Sequence, residues 1–188
     1  QDGAYNQNGV FKIESILNGE EVFEIKFEKF SFAETRHLNQ LIDYEYYATN
    51  RSRIQRLYKT PSNPLSIYGN MQNEGLLNIK DSLDYQYTIR VTDLKGNEKL
   101  IRIPIKGQIS DKIVKREKLE TEYLASSANG LSAKGGKMDV YIPGGSLYND
   151  TFLDINFSDD VVTVHRDEIP LHKNFTIGFD VSELSEED

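Results

Sequence analysis

Two runs of alternating apolar and polar residues meet at Asn18-Gly19, and that arrangement restricts the fold more than any other feature of the chain. Before it, VFKIESIL (10–17) sets Phe11 and Ile13 against Val10, Lys12 and Glu14. After it, EVFEIKF (21–27) sets Phe23, Ile25 and Phe27 against Val22, Glu24 and Lys26. A period of two places successive side chains on opposite faces of a strand. Asn-Gly accepts the positive φ angles of a two-residue hairpin turn. An antiparallel hairpin over 10–27 follows, with Phe11, Ile13, Phe23, Ile25 and Phe27 on its buried face.

The same grammar recurs. YQYTIRVTD (85–93) and NEKLIRIPIK (97–106) flank Lys95-Gly96-Asn97 and read as a second hairpin, in which Pro104 marks an edge or terminal strand. RIQRLYKT (53–60) and PLSIYGN (64–70) read as strands split by Pro61 and Pro64, and GLLNI (75–79) follows. Ser31 and Glu34 have capping-box spacing, and Leu38, Leu41, Ile42 and Tyr46 recur at helical intervals. One short helix around 33–48 fits, although DYEYYATN (43–50) suits an extended or irregular crossing equally well.

Residues 108–136 change character, first charged and then small and Gly/Ser-rich, which places a domain boundary near 107–110. Beyond it KMDVYIPG (137–144), TFLDINFS (151–158), VVTVHRD (161–167) and FTIGFDVS (175–182) are short, β-rich and bounded by turn residues. Many short strands without a fixed repeat specify a sandwich or barrel. The expected fold is all-β: two immunoglobulin-like β-sandwich modules, residues 1–107 and 108–188.

Charge narrows the function. The net charge is -8, and the imbalance is local: residues 1–107 carry 14 basic and 14 acidic side chains, whereas 108–188 carry 8 and 16. Nucleic acid is therefore not an expected partner. No stretch approaches the ~18 apolar residues of a spanning helix, so no transmembrane segment is expected. There is no cysteine, which excludes disulfides and Cys-based zinc sites and leaves the compartment open. The opening QDGAYNQNG and the closing SELSEED read as cuts from a longer polypeptide.

The chemistry-bearing residues are dispersed. His37, His165 and His172 form no H-x-H or H-E-x-x-H pair, and His165 and His172 read as surface histidines. Gly144-Gly145-Ser146 follows a strand without a helix opening behind it, so it reads as a loop rather than a nucleophile elbow. Asp159-Asp160 and Asp167-Glu168 are sequence neighbours, which on a strand face opposite ways and suit no shared cleft. Asp2, Asn6 and Asn8 offer oxygen ligands in a Gly-containing turn, but without EF-hand spacing. No catalytic residue, metal ligand or cofactor is assigned.

One cluster exceeds the background: DYEYYATNRSRIQR (43–56), with three tyrosines and three arginines. Tyr and Arg supply contact area and bidentate hydrogen bonds at recognition surfaces. Tyr44, Tyr46, Tyr47, Arg51 and Arg53 are the candidate binding residues. The alternative is that the tyrosines pack and the arginines neutralise nearby Glu.

The stretch from Asn8 to Tyr68 also resembles a known family, through Phe30-Ser31-Phe32 with Glu34-Thr35-Arg36, Ile42-Asp43-Tyr44, Gln55-Arg56, and Asn63 with Leu65-Ser66-Ile67-Tyr68. Val91-Thr92-Asp93 with Gly96-Asn97, and Ile142-Pro143-Gly144-Gly145-Ser146-Leu147-Tyr148, continue the pattern. It is similar to the region that follows the peptidase domain in lysostaphin-like peptidoglycan zinc endopeptidases of Bacteroidetes. The resemblance implies a non-catalytic accessory region, immunoglobulin-like in fold, that positions, covers or anchors an upstream peptidase domain in the cell envelope, periplasm or outside the cell. Peptidoglycan and that upstream domain are the implied partners. Zinc is implied only for the upstream domain, where a His, an Asp and an H-x-H motif hold it, and none of those positions has a counterpart here. The rival expectation is a free-standing adhesion or glycan-binding module.

Overall fold

The computed structural model describes residues 9–29, 31–61, 63–109 and 119–182. Strand is the prevailing regular structure among these residues, paired antiparallel, with two 3-10 stretches and one short α-helix. The fold is all-β. Contacts divide the chain into two compact units: one takes residues up to Ile42 and Gln55–Val114, the other Asp43–Ile54 and residues from Lys115 onward.

The first unit is built on a five-stranded sheet. β1 (Lys12–Leu17) and β2 (Glu20–Lys26) form the hairpin, turning through Asn18 at φ 50° and Gly19 at φ 91°. β3 (Tyr68–Met71), β4 (Asp84–Thr92) and β5 (Glu98–Lys106) complete the order β3-β2-β1-β4-β5. Ile13 faces Ile25 and Ser15 faces Phe23, with a register slip beyond Ser15. Ile13, Phe23 and Ile25 are buried and Phe11 and Phe27 half-buried, as the alternation requires.

β5 is an edge strand, and Pro104 explains how that edge is protected. Pro104 opposes Gln86, whose N–H and C=O both bond Asn18 on the far side of β4, at 2.8 and 2.9 Å. Antiparallel pairing then directs the backbone of Pro104 to the free edge, where a missing N–H costs no ladder bond and hinders pairing with another chain.

The apolar face over β2 is covered by parts of the same unit on either side of Asp43–Ile54, from which Leu38, Leu41, Leu57, Leu65 and Ile67 pack on Phe23 and Ile25. Here two expectations are corrected. The strand expected over 53–60 is absent, with Gln55 making a single bridge to Ile42, and the strand expected over 64–70 begins only at Tyr68 and runs to Met71. Side chains take the place of a ladder: Thr60 Oγ1 donates to Gln40 Oε1 at 2.6 Å, and Asn63 Oδ1 accepts from the Leu65 N–H at 3.1 Å. Polar side chains of this kind offer the backbone an alternative to regular pairing. The helix expected near 33–48 is two pieces, a 3-10 stretch Phe32–Leu41 and α1 (Tyr44–Asn50), separated by extended backbone at Ile42 and Asp43. At the first start, the Ser31 N–H donates to the Glu34 carboxylate at 3.3 Å.

The second unit comprises β6 (Tyr123–Ala125), β7 (Gly130–Gly135), β8 (Met138–Pro143), β9 (Thr151–Leu153), β10 (Ile155–Ser158), β11 (Val161–Val164) and β12 (Thr176–Phe179). They form sheets β12-β8-β7, β10-β11 and β6-β9. One core joins all three, with Ala125, Ala133, Val140, Ile142, Leu153 and Ile155 buried together against Val162 and Val164. The Gly/Ser-rich part of 108–136, where no strand is expected before 137, carries β6 and β7. Its small residues are packing devices. A Cβ on Gly130 would lie 2.0 Å from the Ile142 carbonyl oxygen, and one on Gly135 2.4 Å from the Phe157 ring.

Candidate functional site

The Tyr-Arg cluster forms a short helical excursion. Asp43 caps α1, its Oδ1 accepting from the Tyr46 N–H at 3.1 Å, which satisfies one of the orphan donors of a helix start. Arg51 ends the helix at φ 55°, donating its N–H to the Tyr47 carbonyl at 2.9 Å. The Asp43 N–H donates to the Ile54 carbonyl at 2.9 Å and closes the excursion at its base.

Helical spacing decides which candidates meet. Tyr44 and Tyr47, three residues apart, share a side with ring centroids 6.2 Å apart and tilted by 54°. The Arg53 guanidinium lies 5.6 Å from the Tyr47 ring centroid, within cation–π range. Tyr46 lies off that side and is 40% exposed; Arg51 and Arg53 are exposed, Tyr44 and Tyr47 half-buried. Tyr44, Tyr47 and Arg53 therefore form one stack, while Tyr46 stands apart and Arg51 contributes through its backbone. An exposed guanidinium on a tyrosine ring offers a planar fork to a carboxylate and a flat face to a sugar or peptide.

Of the other motifs, Gly144-Gly145-Ser146 is a loop, with Gly145 at φ 73° and Ser146 buried. Asp159 and Asp160 make the tight turn between β10 and β11 rather than lying on a strand, Asp159 at φ 42°. Asp2, Asn6 and Asn8 lie outside the described residues. The two histidines expected at the surface are half-buried. His165 lies past the end of β11 at φ 51°, and its Nδ1 accepts from the Asp154 N–H at 3.0 Å, leaving the ring proton on Nε2. His172 packs edge-on against Tyr148 at 4.1 Å.

Sequence reasoning missed a charged ladder on the polar face of the first sheet. Cross-strand pairing brings Glu14 of β1 beside Glu24 of β2 and Arg90 of β4. Glu14, Glu21 and Glu24 place carboxylate oxygens within 4.8 Å of one another, the one grouping of three such ligands among the described residues. Lys12 Nζ lies 3.0 Å from Glu14 and 3.7 Å from Glu24, and Arg90 lies 3.4 Å from Glu14. The hydrogen bond to Glu14 raises the Lys12 ammonium above its ordinary value. Two of the trio, Glu14 and Glu24, already have cations beside them. The trio's only sequence signal was Lys12-x-Glu14 with Glu24-x-Lys26, ordinary for a solvated strand face.

Fold and site together define an all-β chain with two hydrophobic cores and a Tyr-Arg surface. A family model described as a Zu5-like domain matches residues 122–188, the span of β6 to β12, and this part of the chain is similar to that domain. No curated protein and no solved structure matches the chain. Nothing in these comparisons ties it to lysostaphin-like peptidases.

Proposed function

We propose that this chain is a non-catalytic accessory region of a cell-envelope peptidoglycan metalloendopeptidase, one that positions, covers or anchors a catalytic domain lying upstream. The reading rests on the resemblance of Asn8–Tyr68 and Ile142–Tyr148 to that family's region beyond the peptidase. The observation that supports it is the Tyr44–Tyr47–Arg53 stack, a contact surface of two rings and a guanidinium. In this reading the stack is packed by a neighbouring element rather than offered to a free ligand.

The coding sequence upstream of Gln1 is the first test. A zinc endopeptidase domain there is expected; a lipoprotein signal or further sandwich repeats overturns the reading in favour of the adhesion or glycan-binding module. A triple variant, Tyr47→Ala with Arg51→Ala and Arg53→Ala, tests the surface itself in the protein that contains the upstream domain. A melting temperature lower by several degrees with unchanged sedimentation with sacculi is the expected result, consistent with about 1–2 kcal/mol of lost packing. Lost sedimentation at unchanged melting temperature assigns the surface to ligand recognition instead.

A further inference from the structure

The first unit carries a cleft that the Tyr-Arg surface does not include. Its cavity measures about 410 Å³ and is lined by Tyr58, Lys59, Thr60, Pro61, Asn63, Glu74 and Leu76. That volume lies within the range of about 300–1,000 Å³ usual for small-molecule sites.

Two of the lining side chains carry opposite charges that are not spent on each other. Lys59 and Glu74 both line the cleft, yet neither has an ion-pair partner among the described residues. The Lys59 ammonium rests 5.7 Å from the Tyr68 ring centroid, and burial pushes the Tyr68 hydroxyl up to about 12, with the charge of Arg56 opposing and that of Glu74 adding to it. Tyr58, Pro61 and Leu76 supply the apolar part of the lining.

The backbone holding Glu74 is strained and fixed. Asn73, Glu74 and Gly75 have φ of 47°, 55° and 82°, and for a Glu that is a sparsely populated conformation. The turn is held by Asn73 Nδ2 donating to the Leu76 carbonyl at 2.8 Å and by the Lys59 N–H donating to the Glu74 carbonyl at 2.9 Å. Gly75 is pressed so closely on its neighbours that a Cβ would lie 2.7 Å from Phe23 Cδ2 and 2.8 Å from the Leu57 carbonyl oxygen. The floor is equally set, with Asn63 Nδ2 donating to the Tyr68 hydroxyl at 3.0 Å and Thr60 Oγ1 committed to Gln40. Strain held in place by its surroundings concentrates at functional sites.

We propose that this cleft binds a small zwitterion, an amino acid or a peptide of two or three residues, with its carboxylate on Lys59, its ammonium on Glu74 and an apolar side chain against Tyr58, Pro61 and Leu76. Complementary charge at both ends sets the orientation, and the preformed turn spares the cost of ordering the Glu74 backbone on binding. The site is independent of the peptidase reading and stands or falls separately from it.

Chemical-shift perturbation on the whole chain provides the test, with leucine, Ala-Leu, Leu-Ala and Ala-Leu-Ala as probes. At least one probe is expected to saturate below about 10 mM, with shifts confined to residues 58–63 and 73–76. Acetylating its amine or amidating its carboxylate should each weaken binding about tenfold or more, as loss of a charge-assisted hydrogen bond does. Glu74→Gln should abolish the penalty of acetylation, and Lys59→Met that of amidation. No saturable shift at the cleft with any probe overturns the proposal, as does equal binding of capped and free forms. The capped ligands keep the test decisive even if a variant fails to fold.

Discussion

Replacing Phe23 with Ala tests whether the first unit is organised around the face that the Asn18-Gly19 hairpin buries. Phe23 is 0% exposed, packs with Ile25, Leu41, Leu65 and Ile67, and meets Tyr68 at a ring-centroid distance of 5.8 Å. An aromatic side chain of this size buries about 150–250 Å², which at ~25 cal/mol per Å² is about 4–6 kcal/mol of transfer free energy against an extended chain. More compact denatured chains reduce that figure, and measured Phe→Ala losses in cores run to about 3–5 kcal/mol. A loss of about 4 kcal/mol is expected, read as a lower urea midpoint at unchanged slope by tyrosine near-ultraviolet circular dichroism. Phe23→Leu, which keeps most of the apolar volume, should lose far less. A Phe23→Ala loss below about 1.5 kcal/mol would refute the reasoning, because a sealed ring cannot be removed so cheaply. Such a result would mean that Phe23 does not face the core in the register that pairs it with Ser15. Since the ring also packs beneath Gly75, the same variant should weaken zwitterion binding at the cleft.

Gly130→Ala should destabilise the second unit by about 2 kcal/mol or more, since it combines φ 78° with a Cβ 2.0 Å from the Ile142 carbonyl oxygen; thermal melting of purified variant and wild type checks it. Glu14→Gln should cost about 1–3 kcal/mol in urea unfolding, because Lys12 and Arg90 then lose their shared charged partner on a nearly closed face, and an unchanged midpoint would show the ladder to be solvent-screened. For Asp93, the Asn97 side-chain amide and the backbone N–H groups of Asn97 and Lys95 hold the carboxyl below its ordinary value of 3.8. A lowered folded value stabilises the folded chain above the unfolded pKa and loses that contribution as pH falls through the folded one. The β4–β5 turn should therefore begin to loosen only at pH below 3.8, and a carboxyl-carbon titration with a midpoint at or above 3.8 contradicts the hydrogen bonding seen.

Legibility followed the range over which each signal acts. The β1–β2 and β4–β5 hairpins could be read because alternation and turn chemistry are local, and each register is written within about ten residues of its turn. The cover made by Leu38, Leu41, Leu57, Leu65 and Ile67 could not. Thr60 bonds Gln40 and Asn63 bonds Tyr68, so side chains rather than a backbone period hold that layer, and a period of two misreads RIQRLYKT as a strand. The strands within LASSANGLSAKGG are not legible in sequence for a related reason. Small residues mark both flexible linkers and strands that must approach closely, and only the position of Ile142 and Phe157 tells Gly130 and Gly135 which they are.

The candidate sites divide along the same line. Tyr44, Tyr46, Tyr47, Arg51 and Arg53 lie within ten residues, so composition alone drew attention to them, and helical spacing then sorted which would meet. Lys59 and Glu74 are separated by fourteen intervening residues and resemble any solvated lysine and glutamate. What joins them is the Asn73-Glu74-Gly75 turn, which doubles back against Leu57 and Tyr58 because Phe23 leaves room for a glycine and nothing larger. The cleft therefore depends on a hairpin residue fifty positions away from Asn73 in the chain, and a variant there that spares both charges should still blunt the difference between capped and free ligands. A Phe23→Leu protein that remains folded yet binds acetylated and free Ala-Leu alike would show the strained turn, rather than the two charges alone, to be what makes the site selective.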